Sequence, residues 1–119
     1  MDLIAEITAL GELTNIGVAL GKRTDPERRV EIIHLRTAQS AQMRKISKAA
    51  NDFDFSPYGD AVAAQFRQKL SQLKSVIARH QAMWPVPMID ATSKEYRRSG
   101  DNLNREQAAF VAWALKELC

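Results

Sequence analysis

The chain has 119 residues, a net charge of +3, 45% apolar residues, five glycines, four prolines and one cysteine. That length suits one domain around one core, and the composition argues against a disordered chain and excludes an internal disulfide framework. The modest positive charge permits an acidic partner without demanding one.

The first predicted helix spans about 2–20. Leu3, Ile7, Leu10, Thr14 and Gly17 recur at helical spacing, and Ile4, Leu13, Ile16, Val18 and Leu20 widen the stripe beyond one seam. Gly21 reads as the C′ residue. Thr24-Asp25-Pro26-Glu27 reads as a cap followed by proline at the first helical position, starting a second helix that runs to about 51. Its stripe is Ile32, Leu35, Met43, Ile46, Ala49, Ala50 and Phe53, interrupted by Gln39 and Gln42.

Ser56-Pro57 repeats the cap-then-proline device and predicts a third helix over 57–83. Val62, Phe66, Leu70, Leu73, Ile77, His80 and Trp84 alternate by three and four along it, and Pro85 and Pro87 end it. Asp90 is the expected cap of a fourth helix. Tyr96, Leu103 and Phe110 keep a seven-residue spacing across Gly100, which favours one continuous helix over an interruption there. Short connections force neighbouring helices antiparallel. The sequence therefore predicts an all-α, up-down four-helix bundle as a single domain over 1–119, with breaks near 21–25, 52–56 and 85–89.

Motifs that carry chemistry are absent. No phosphate-cradling glycine loop and no Gly-x-Ser-x-Gly elbow occurs. Glu31-Ile32-Ile33-His34 is a single Glu-x-x-His, whereas a di-iron bundle needs two copies. His34 and His80 are the only histidines, and a phosphotransfer or metal role for either ranks below the other readings. The expectation is a non-enzymatic protein with no catalytic residue, cofactor or metal.

His80, Trp84, Pro87 and Tyr96 read as a structural cluster pinning the turn between helices three and four. Trp84 would pack on Pro87, and Tyr96 would give His80 its hydrogen-bond partner. The second helix carries Val30, Ile33, Thr37 and Ala41 opposite its core stripe. With Leu13 and Ile16 of the broad first helix, they form the candidate interface for a protein partner or a second copy of the chain. The alternative is nucleic acid, bound by Arg44, Lys45 and Lys48, which share one face. Arg28, Arg29 and Arg36 point elsewhere and read, with the other charges, as solvated surface.

Asp2 and Glu6 leave the N-terminus without the basic flank of a signal peptide, and no apolar run is expected to approach a membrane span. The lone Cys119 fits a reducing compartment. The sequence thus predicts a cytoplasmic adaptor or chaperone-like bundle with no membrane partner.

Overall fold

The computed structural model describes residues 2–89 and 93–119. Four helices follow one another: α1 (Leu3–Gly21), α2 (Arg28–Asp52), α3 (Asp60–Met83) and α4 (Lys94–Leu118). Single 3₁₀ turns at Ser56–Tyr58 and Val86–Met88 lie in the second and third connections. The helices form an all-α up-down bundle 47 Å long and about 20 Å across. No strand occurs among the described residues.

The helix ends follow local chemistry, with several departures from the sequence reading. Asp2 caps α1, its carboxylate accepting from the Ile4 N–H at 3.0 Å. Gly21 is the last residue of α1, not a left-handed C′ residue, and Lys22 ends the helix in right-handed geometry. Neither Thr24 nor Asp25 caps α2. The Arg23 guanidinium holds the Asp25 carboxylate through contacts of 2.5 and 2.8 Å, so Pro26 lies in a turn and α2 begins at Arg28. Ser56-Pro57 opens a 3₁₀ turn rather than α3. Helix α3 starts after Gly59, whose φ of 91° is the left-handed geometry only glycine takes without strain. The expected cap Asp90 lies outside the described residues; Ser93 caps α4, its hydroxyl accepting from the Tyr96 N–H at 3.3 Å. Helix α4 is continuous through Gly100, as the seven-residue spacing predicts.

Helix α1 wedges between α2 and α4, and α3 packs on α4. A Cβ at Gly17 would stand 2.7 Å from Asn104 Oδ1, so glycine there admits the close approach of α4. By length and mean hydropathy (1.4), α1 is apolar enough to cross a bilayer, which corrects the expectation that no run approaches a span. Glu6 and Glu12 are its only charged residues. In the fold its Leu3, Ile7 and Leu10 are buried in the bundle core.

The core has two apolar parts with a polar layer between them. The larger part gathers Leu3, Ile7, Leu10, Met43, Ile46 and Phe66 with their neighbours on α3 and α4. The smaller, at the end that carries the α1–α2 and α3–α4 connections, gathers Leu20, Ile32, Ile89 and Tyr96. Between them lie buried Thr14, Gln39 and Gln107. The Thr14 hydroxyl stands 2.9 Å from both the Leu10 carbonyl and Gln107 Oε1, tying α1 to α4. Gln42 Nε2 donates to the Glu6 carbonyl and carboxylate at 2.7 and 2.8 Å, tying α1 to α2. Both glutamines that interrupt the α2 stripe are thus buried, and the Gln42 bonds to α1 pin the register of those two helices.

Candidate functional site

The α2–α3 seam is the open side of the bundle. These consecutive helices scarcely approach each other backbone to backbone, unlike the other consecutive pairs. A groove of about 480 Å³ runs between Ser40, Met43, Arg44 and Ser47 on α2 and Lys74, Ile77, Ala78 and Gln81 on α3. A second hollow of about 330 Å³ continues it toward Asn51, Phe66 and Arg67, sharing Ser47 and Lys74 with the first.

Its floor is core: Met43 and Ile77 of the groove and Phe66 and Leu70 of the second hollow are buried. Its rim is basic, with Arg44 and Lys74 facing across one hollow and Arg67 on the next. Among the described residues, no Asp or Glu lines either hollow. Ser47 Oγ and Gln81 Nε2 lie buried in the walls without a hydrogen-bond partner. Buried polar atoms left unpaired are uncommon in folded proteins and mark places where another group completes the bonding.

The residues singled out by sequence fall in different places. Arg44, Lys45 and Lys48 are all exposed, and Arg44 lines the groove. In the outward strip, Val30 and Ile16 are 55% and 49% exposed and Thr37 is exposed, while Leu13, Ile33 and Ala41 are half-buried. Ile33 packs on the smaller apolar cluster. Val30 and Ile16 belong to a wider set with Val18, Met83, Val86 and Met88, all exposed and all toward the end that carries the α1–α2 and α3–α4 connections. His34 is exposed.

Three residues of the expected cluster, His80, Trp84 and Tyr96, come together. Tyr96 lies edge-on to Trp84 at 5.4 Å and beside the His80 ring at 5.8 Å. His80 takes its hydrogen bond from the next turn of α4: its Nδ1 and Ser99 Oγ are 2.6 Å apart, so Ser99, not Tyr96, is the partner. Pro87 is exposed in the 3₁₀ turn. Burial, with the nearby Arg36 charge adding, pushes the His80 imidazole down to about 4. A histidine that stays neutral when folded but protonates near 6.5 when unfolded makes stability fall as pH drops below about 6.5. The fall continues to about pH 4, at up to ~1 kcal/mol per pH unit. Urea unfolding of the wild type from pH 7 to pH 4.5 should show this slope, and His80→Gln should flatten that part of it. An unchanged slope in the variant assigns the pH response to other groups.

Sequence reasoning missed Lys74, Ile77 and Gln81 as one wall of a site, because the α3 stripe reads as an ordinary core face. It also placed Arg28 and Arg36 among solvated charges. Arg28 is only 2% exposed and Arg36 is half-buried. The signal was present: both stand four residues from Ile32, on the core side of α2 by helical spacing.

No group of three or more His, Cys, Asp or Glu side chains suited to a metal occurs among the described residues. No family model, no curated protein and no solved structure matches the chain. The site's own chemistry is therefore the basis for a functional reading.

Proposed function

We propose that this protein is a small, non-enzymatic interaction module of the cytoplasm whose α2–α3 groove receives an acidic amphipathic helix from a protein partner. The observation that carries this reading is the combination of an apolar floor with a rim whose charges, among the described residues, are all basic, along a seam that the bundle leaves open. From Ser40 to Asn51 the groove runs about 16 Å along α2, the length of a three-turn helix. Such a ligand would set apolar anchors at i, i+4 and i+7 on Met43, Ile77 and Leu70 and its carboxylates against Arg44, Lys74 and Arg67. Ser47 and Gln81 would bond to polar groups on its flank.

Nucleic acid fits this groove less well. A phosphate backbone would meet the cations but would have nothing to set on Met43 and Ile77. The aromatic rings that stack bases in single-strand binders are committed here to one another, as in the Phe53, Phe55, Tyr58 and Phe66 chain.

The test is selection from an unbiased library of helical peptides against the full chain. Enriched sequences should carry Asp or Glu flanking apolar i, i+4 and i+7 positions. Their affinity should fall about tenfold in the Arg44→Glu, Lys74→Glu variant, since each rim ion pair is worth up to ~1 kcal/mol. Winners that bind the doubly reversed variant equally well would contradict the reading.

A second reading rests on a separate observation. Ile16, Val18, Val30, Met83, Val86 and Met88 gather toward one end of the bundle, more apolar surface than scattered residues expose there. It favours self-association through that end, which light scattering over a concentration series would detect and Val30→Glu would abolish.

A further inference from the structure

The polar layer between the two apolar clusters holds a small cavity of about 60 Å³, lined by α1, α2, α4 and the end of α3. Two arginines of α2, Arg28 and Arg36, reach into it from two helical turns apart. Arg28 is 98% buried, being 2% exposed; one of its Nη atoms donates to the Arg23 carbonyl, and its Nε has no partner. Arg36 buries Nε and Nη2, and neither has a partner. Arg97 also lines the cavity and is already engaged.

Among the described residues, the lining carries one carboxylate against these cations. Asp101 is exposed, lies 3.8 Å from where a Gly21 Cβ would stand, and makes no ion pair with Arg28 or Arg36. Its place is the mouth. The remaining polar lining is neutral: Gln39, His80, Tyr96 and Asn104. A guanidinium keeps its charge in a protein interior, and an unpaired buried charge is costly. Two partly unbonded guanidinium groups around one cavity, with no buried acid among the described residues, therefore leave positive charge there unbalanced.

We propose that this cavity binds a small oxyanion of the phosphate or sulfate type. The volume corresponds to about two waters of liquid, which one such ion fills. The free donors Arg28 Nε, Arg36 Nε and Arg36 Nη2 suit oxygen acceptors, and arginine forks match phosphate geometry. Gly21 and Gly100 add no side chain to the lining beside Asp101. This site is separate from the α2–α3 groove, and the two stand or fall independently.

The test is thermal unfolding of the full chain at constant ionic strength, exchanging chloride for inorganic phosphate, with ³¹P line width as a direct measure of binding. The wild type should gain about 8–12 °C in Tm at phosphate a hundredfold above Kd, the gain rising with the logarithm of phosphate concentration. Arg36→Gln should lose that gain and the ³¹P broadening, while Arg44→Gln, a groove variant, should keep both. Should Arg36→Gln fail to fold, Arg28→Met serves in its place. O-phosphoserine in a parallel arm separates the two sources: binding of inorganic phosphate alone assigns the site to a free ion, and binding of both assigns it to a phosphoryl group carried on a larger molecule. No rise in Tm and no ³¹P broadening with either, or an equal shift in the Arg36 and Arg28 variants, would overturn the proposal.

Discussion

Phe66→Ala should destabilise the fold by about 3 kcal/mol, the largest loss expected of any single truncation here. Phe66 is fully buried and joins three elements. Its ring lies 5.3 Å from Phe55 in the α2–α3 connection, and 5.6 and 6.5 Å from Phe110 and Trp113 of α4. Removing it takes away the centre of the aromatic cluster that closes the end of the bundle opposite the polar cavity. Phenylalanine truncations in cores cost about 3–5 kcal/mol, the upper values where a sealed void remains. Phe66 also floors the hollow near Arg67, so water can enter the space and the lower part of that range applies. Against a typical total of about 5–15 kcal/mol the variant still folds, with a sharply lower urea midpoint. A loss under about 1 kcal/mol, at unchanged denaturant slope, would mean the cluster does not close the bundle as described.

Arg28→Met should act in the opposite direction, raising stability by about 1–3 kcal/mol in buffer free of phosphate and sulfate. Replacing a buried charge by an apolar side chain of similar volume is often neutral or stabilising, because the folded state no longer desolvates the ion. Here one Arg28 donor is bonded to the Arg23 carbonyl and the Nε is not, so little is lost. The gain should shrink as phosphate is added, because only the wild type is stabilised by the ion. Urea unfolding with and without phosphate reads both effects. A loss of stability in both buffers would show that the guanidinium serves the α1–α2 turn alone, where Arg23 also bonds Asp25 and Glu31. In this account, Arg28 is kept at a cost in stability because the cavity needs it.

The architecture was legible because apolar periodicity and proline positions are local signals. The Tyr96, Leu103 and Phe110 spacing reports the unbroken α4, and Pro85 the end of α3. Helix starts were less legible where a side chain had a competing partner. Asp25 looks like a cap, yet Arg23, two residues before it, takes its carboxylate and holds it down to about 2. Ser56-Pro57 looks like a helix start, yet the left-handed Gly59 sets the actual one. The groove was not legible, because periodicity says which face of a helix is apolar and not whether the neighbouring helix closes over it. Arg44 was legible as exposed charge, but its counterpart Lys74 comes from another helix. The cavity was readable in part: Arg28 and Arg36 fall on the core side of α2 by simple helical counting, while residue type alone assigns them to water.

The claim that the open seam is a docking site for an acidic helix is tested most directly by amide NMR of the full chain. The titrant is a three-turn peptide with leucines at i, i+4 and i+7 and glutamates on the flanks. The account predicts saturable shifts centred on Met43, Ser47, Lys74, Ile77 and Gln81, absent with a lysine-flanked peptide of the same apolar pattern. Shifts centred instead on Val30, Val86 and Met88, or equal responses to the acidic and basic peptides, would contradict it.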